Sequence, residues 1–129
     1  MASKREQQQD DIRLRVMRLL EQNPKMTTRE IADLVGISNG SAHYVVTALI
    51  NKGFVKIVNF KNNPRKGKYF YLLTSEGIKE KTELAHKFIE RKTREYKELK
   101  REIAILEKET EMAEKNRVKY LDIDTNFKK

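Results

Sequence analysis

Apolar residues in the first half of the chain recur at helical spacing and then give way to β-branched and aromatic runs. Ile12, Val16, Leu19 and Leu20 fall at i, i+4, i+7 and i+8. This predicts a first helix capped by Asp10 or Asp11 and stopped at Asn23-Pro24, behind a frayed, Gln-rich start over residues 1–9. Thr27-Thr28-Arg29-Glu30 has the form of a capping box, in which the Thr27 hydroxyl accepts the Glu30 amide and the Glu30 carboxylate reaches back. It opens a short second helix with Ile31, Ala32, Leu34 and Val35 as its apolar residues and Gly36 as its end. Ser38 caps a third helix that reaches about Lys52, with Ala42, Val45, Val46, Leu49 and Ile50 inward and Gly53 as the stop.

The second and third helices, separated by about three residues that include a glycine, make a helix-turn-helix. Phe54 to Phe60 then reads as a strand, Lys61 to Lys68 as turn chemistry around Asn62-Asn63-Pro64, and Tyr69 to Leu73 as the returning strand. A hairpin directly after the third helix is a wing. Lys25-Met26-Thr27 is a candidate for a third short strand.

Thr74 caps a last helix running from about Ser75 to beyond Asn116, on the order of 60 Å. Favourable i, i+4 pairs line it: Glu83–Lys87, Glu90–Arg94 and Glu111–Lys115. Positions alternating four and three apart from Ile78 to Tyr120 trace a heptad seam, most apolar from Tyr96 through Leu99 and Ile103 to Leu106. The helix has two readings. In one, Ile78, Leu84, Ala85, Phe88 and Ile89 cover the wing domain and the rest is a charged strut. In the other, Ile89, Tyr96, Leu99, Ile103 and Leu106 pair with a second copy; both are expected together, the first three turns on the wing domain and Tyr96 to Leu106 dimerising. In a parallel pair Glu95 meets Lys100, but Glu102 faces Glu107 and Glu109 faces Glu114, so antiparallel pairing stays open. From Leu121 the pattern fails, which predicts a flexible tail over residues 120–129.

Charge sharpens this picture. Residues 1–74 carry 13 cations against 6 acids, and residues 75–129 carry 15 against 13. Between Asp33 and Glu76 there is no acid at all, where the chain's average would place about six, and six Lys or Arg stand there. A basic stretch cleared of acids suits a polyanion. With no cysteine, disulfides and thiolate metal sites are excluded. The only histidines, His43 and His86, lie on separate helices. There is no phosphate-cradling Gly-rich loop and no His/Asp/Glu metal spacing, so the reading is a non-enzyme without cofactor. No apolar run spans a bilayer and no hydrophobic segment follows Met1-Ala2-Ser3-Lys4-Arg5, which points to a cytoplasmic protein without membrane contact.

Helix, helix-turn-helix, wing and long helix together resemble the MarR-type winged-helix regulators over about residues 10–115. Three motifs carry the resemblance: Thr27-Thr28-Arg29-Glu30-Ile31-Ala32, the run Ala48-Leu49-Ile50-Asn51-Lys52-Gly53-Phe54-Val55, and the Leu-Thr-x-x-Gly exit Leu73-Thr74-Ser75-Glu76-Gly77. The Asn59-Phe60-Lys61-Asn62 wing is most similar to the short members associated with exopolysaccharide gene clusters. Where such wings often carry Asp followed by Arg, this one has Asn63-Pro64-Arg65. The resemblance implies a mainly α fold with a small β-hairpin, and a bacterial or archaeal regulator of transcription, read as a repressor. It would bind double-stranded DNA as a homodimer through a winged helix-turn-helix over residues 10–75 and a dimerising coiled coil over residues 76–119. No small-molecule effector can be named.

In such a domain the third helix enters the major groove and its N-terminal part meets the bases. Outward positions there are Ser38, Asn39, Gly40, Ser41, His43, Tyr44 and Thr47, of which His43 and Tyr44 fall where the family's contact residues lie. Arg29 would brace the backbone. Lys61, Arg65, Lys66 and Lys68 would place the wing on the minor groove. Each has a plainer reading: Asn39 and Gly40 as a turn, His43 and Arg29 as solvated surface, Tyr44 at the core edge, the wing cations as an ordinary charged hairpin tip. RNA is disfavoured for want of exposed stacking platforms. The alternative function is a protein-interaction adaptor that uses the charged coiled coil.

Overall fold

The computed structural model describes residues 3–59 and 69–127, except that the side chains of Asn59 and of residues 122–127 are not described. Its elements are α1 (Lys4–Gln22), α2 (Thr28–Val35), α3 (Asn39–Asn51), β1 (Val55–Asn59), β2 (Tyr69–Leu73) and α4 (Ser75–Phe127). The chain divides into two compact units, Met1–Phe88 and Ile89–Lys129.

In the first unit, three helices and the hairpin enclose one apolar core. Val16, Met17 and Leu20 of α1, Ile31 and Ala32 of α2, Ala42, Val46 and Leu49 of α3, Val55 of β1 and Leu84 of α4 are all buried. Burying a side chain of this size is worth about 1.5–3 kcal/mol. The helix starts are set locally. Ser3 Oγ accepts the Glu6 amide at 3.2 Å, Thr27 Oγ1 accepts the Glu30 amide at 3.1 Å, and Ser38 Oγ accepts the Ser41 amide at 3.1 Å.

Helix α3 ends in a Schellman motif. Gly53, at φ +79°, gives its amide to Ile50 O at 3.0 Å, and Phe54 gives its amide to Leu49 O at 2.9 Å. The chain then enters an antiparallel hairpin with Val55 opposite Leu73 and Asn59 opposite Tyr69. Its return meets the α3 end again. The Thr74 amide donates to Phe54 O at 3.0 Å, and the Thr74 hydroxyl donates to Gly53 O at 2.6 Å and accepts the Gly77 amide at 3.0 Å. A Cβ on Gly77 would lie 2.0 Å from Phe54 O, so only glycine fits there. The Leu-Thr-x-x-Gly exit is thus a dock onto the end of α3. Leu84 in the core, Ala85 and Phe88 against it, and an ion pair from Lys81 to Glu21 continue that attachment.

Several expectations change. Helix α1 starts at Lys4 under Ser3, so residues read as frayed are helical and Asp10 lies inside the helix, paired with Arg13. Lys25 to Thr27 form no strand; Asn23 Oδ1 accepts the Lys25 amide, and one bond from the Tyr71 amide to Pro24 O at 3.1 Å ties the segment to β2. Leu34 is 60% exposed, because the eight-residue α2 turns Ile31, Ala32 and Val35 inward and leaves Leu34 outside that face. Ile78, expected on the core, is 53% exposed, as is Ile89 at 58%; Leu84 is buried in the core, with Ala85 and Phe88 against it. The expected loose tail from Leu121 is helical through Phe127.

In the second unit, the α4 segment from Ile89 exposes Tyr96, Leu99, Ile103, Ile105 and Leu106, among others. No described helix is long and apolar enough to cross a membrane.

Gly77→Ala forces backbone against backbone, and the expected loss is about 2 kcal/mol or more, by the cost of overpacking a tight site. Urea denaturation of the full chain measures it.

Candidate nucleic-acid interface

The turn that separates α2 from α3 is Gly36-Ile37-Ser38. Gly36 sits at φ +80° and donates to Ala32 O at 2.9 Å, and the Ile37 amide reaches the same carbonyl at 3.0 Å. Ile37 packs against the core and Ser38 begins the next helix. Glycine is needed at Gly36 because a side chain is strained in the left-handed region. The result is a short, internally bonded turn that fixes the start of α3 relative to α2.

Along α3, Ala42, Val46 and Leu49 are buried, with Val45 and Ile50 packed beside them. Asn39, His43 and Thr47 follow one another at i, i+4 and i+8 and are exposed, so they share one outward stripe. Gly40 and Tyr44 flank that stripe. Tyr44 is 75% exposed, which removes the core-edge reading. The Ser38 hydroxyl is engaged on both sides: it accepts the Ser41 amide and donates to Ser41 Oγ at 2.9 Å. Ser38 therefore serves the surface by holding the helix start.

Gly40 stands apart from the other glycines. Its φ is not positive, and a Cβ added there meets nothing within 4 Å. Nothing internal calls for glycine, although glycine inside a helix costs about 0.8–1.0 kcal/mol relative to alanine. A bare backbone at this point is useful to an external partner that must come close.

The surroundings are cationic. Arg29 is exposed in the first turn of α2, Lys52 at the end of α3 and Lys56 on β1, and Lys25 lies 5.8 Å from the Phe70 ring. Lys61, Arg65, Lys66 and Lys68 lie outside the described residues. Beside the stripe, an open groove of about 620 Å³ runs between α1 and α3, lined among others by Ile12 and Arg13 of α1, Gly40, Tyr44 and Val45 of α3, and Lys52. Sequence reasoning missed this groove, as it missed exposed Leu34. Both depend on how helices lie against one another, and periodicity carries no such signal. Among the described residues no polar or charged side chain is buried, and no three His, Cys, Asp or Glu gather as metal ligands.

With this geometry in view, residues 9–56 match the family described as winged helix-turn-helix DNA-binding. The first unit is a winged helix-turn-helix. Solved structures agree on the fold. The PcaV transcriptional regulator from Streptomyces coelicolor is 22% identical, with a TM-score of 0.51 over 61% of this chain and 57% of its own. A MarR/EmrR family transcriptional regulator from Acinetobacter sp. ADP1 is 20% identical, with a TM-score of 0.54 over 64% and 56%. A MarR family protein from Mycobacterium tuberculosis, in complex with salicylic acid, is 18% identical, with a TM-score of 0.56 over 74% and 75%. At these identities the likeness is one of fold. The chain spans just over half the length of the first two. No curated protein matches it.

Because the site at Gly40 is open, Gly40→Ala in the first turn of α3 should raise stability by up to about 0.5 kcal/mol without disturbing the fold. Thermal unfolding followed by circular dichroism tests this.

Proposed function

We propose that the protein is a MarR-type transcriptional regulator that binds double-stranded DNA sequence-specifically as a homodimer, with α3 in the major groove and the wing on the adjacent minor groove and backbone. The observation that carries this reading is the stripe Asn39, His43 and Thr47 beside a glycine the fold does not require. It opens at the start of the second helix of a helix-turn-helix, where such domains meet base edges. Arg29 at the start of α2 suits a phosphate, and Lys61, Arg65, Lys66 and Lys68 supply the wing with charge. The chemistry asked of these residues is contact and charge neutralisation, which needs neither a metal nor a general base.

The dimer reading rests on α4. Ile89, Tyr96, Leu99, Ile103 and Leu106 are exposed and fall within a stripe of roughly 100° at 100° per residue. Two polar residues on the same heptad, Thr82 and Thr110, turn their hydroxyls back to Ile78 O at 2.9 Å and Leu106 O at 2.7 Å. With those hydroxyls satisfied inside their own helix, both can be covered by a partner at little polar cost. Pairing removes the apolar row from water, and each large side chain then gains about 1.5–3 kcal/mol at full burial.

A dimer neutralising roughly eight phosphates gives a slope near −7 for log K against log salt. Replacing Lys61, Arg65, Lys66 and Lys68 by Gln should flatten that slope and weaken retention in a mobility gel. An unchanged gel would remove the wing from the interface. Leu99→Glu combined with Ile103→Glu should give a folded monomer with lower duplex affinity. If sedimentation still reports a dimer, the seam lies elsewhere on the chain.

A further inference from the structure

The thirteen residues of α3, Asn39 to Asn51, include no Lys, Arg, Asp or Glu. The edge of guanine in the major groove is a pair of acceptors, O6 and N7, and its two-point reader is Arg or Lys. Cytosine offers the N4 amino group, whose reader is a carboxylate. Neither reader is present on this helix. The partners that an A·T pair needs are present, and they are exposed. Asn39 carries an amide that can donate to adenine N7 and accept from adenine N6. The Thr47 methyl, the Tyr44 ring and the bare Cα of Gly40 provide apolar surface for the thymine C5-methyl.

The remaining polar groups do not restore guanine reading. Ser38 donates into Ser41 Oγ, which leaves Ser41 one hydroxyl proton to give. A single donor from Ser41 or from a His43 ring nitrogen at N7 does not separate adenine from guanine, and at O6 it makes one bond without the two-point geometry of Arg or Lys. Arg29 lies in the first turn of α2, where a helix braces the backbone.

We propose that α3 selects A·T base pairs, with Asn39 on adenine and Thr47 and Tyr44 on thymine methyl groups, and that guanine is not read by a two-point contact from this helix. The inference rests on the DNA-binding reading above and names the class of operator. Affinity then comes from cations at the flanks of α3, while the helix itself sorts sequence through amide geometry and methyl contacts.

The test is selection by the full chain, at low salt, from a duplex library with a randomised core, followed by affinities for the selected duplex and its variants. A selected core dominated by A·T supports the proposal. In that duplex, deoxyuridine in place of a contacted thymidine removes one methyl and should weaken binding about fourfold. Asn39→Ala should lose about tenfold or more of discrimination at one adenine, and Thr47→Arg should shift selection toward guanine at its position. Selection of G·C-dominated half-sites would overturn the proposal, as would binding that is indifferent to thymine methyls. Retention of all duplexes without enrichment would also overturn it while leaving DNA binding intact. No retention of any duplex would sink the underlying reading as well.

Discussion

The junction of Gly53 and Phe54 with Thr74 and Gly77 holds the winged domain together at one point. Two successive carbonyls at the end of α3 accept from the amide and the hydroxyl of a single threonine, and that same hydroxyl caps α4. Gly77 then brings the α4 backbone against the Phe54 carbonyl, closer than any side chain allows. The end of the exposed helix, both strands of the wing and the start of the long helix are all referred to this contact. A shift at any one of them disturbs the hairpin register, because Val55 and Leu73, the pair closest to the junction, are partners.

On the DNA-binding reading proposed above, that arrangement divides the labour of recognition among separate elements. Helix α3 carries no Lys, Arg, Asp or Glu, and its inward face is committed to the core. Its outward stripe is free to match base edges because the turn from Gly36 to Ser38 and the dock at Gly53 fix both of its ends. Cations sit instead on the neighbouring elements, where long side chains can reach a phosphate without entering the packed interior. On this view sequence sorting and electrostatic attraction reside in different parts of one small unit. The same division explains why no buried ion pair is needed among the described residues.

Much of the domain was legible residue by residue. The caps at Thr27, Ser38 and Thr74, the stops at Gly36 and Gly53, and the switch to β-branched residues after Phe54 are local signals read over three or four positions. So was the surplus of charge, which is simple composition. Asp10 and Asp11 misled because they are good capping residues, yet Ser3 was available about two turns earlier and Gln-rich helix costs little to propagate. The heptad seam of α4 was visible, but of its early members Ala85 packs against the core while Ile78 stands exposed.

What the chain could state unaided was therefore what neighbours in sequence carry: element order, the limits of α2 and α3, the apolar face of α3, and the absence of charge along it. Spatial relations between distant segments needed the folded molecule. Gly77 is required because of Phe54, which lies 23 positions earlier and on another element. Leu34 and Ile78 are exposed, and Leu84 is buried, according to which helix faces touch. Gly40 differs from Gly77 only in what surrounds it. Periodicity reports the direction of a side chain from its own axis, and only packing says whether another element waits there.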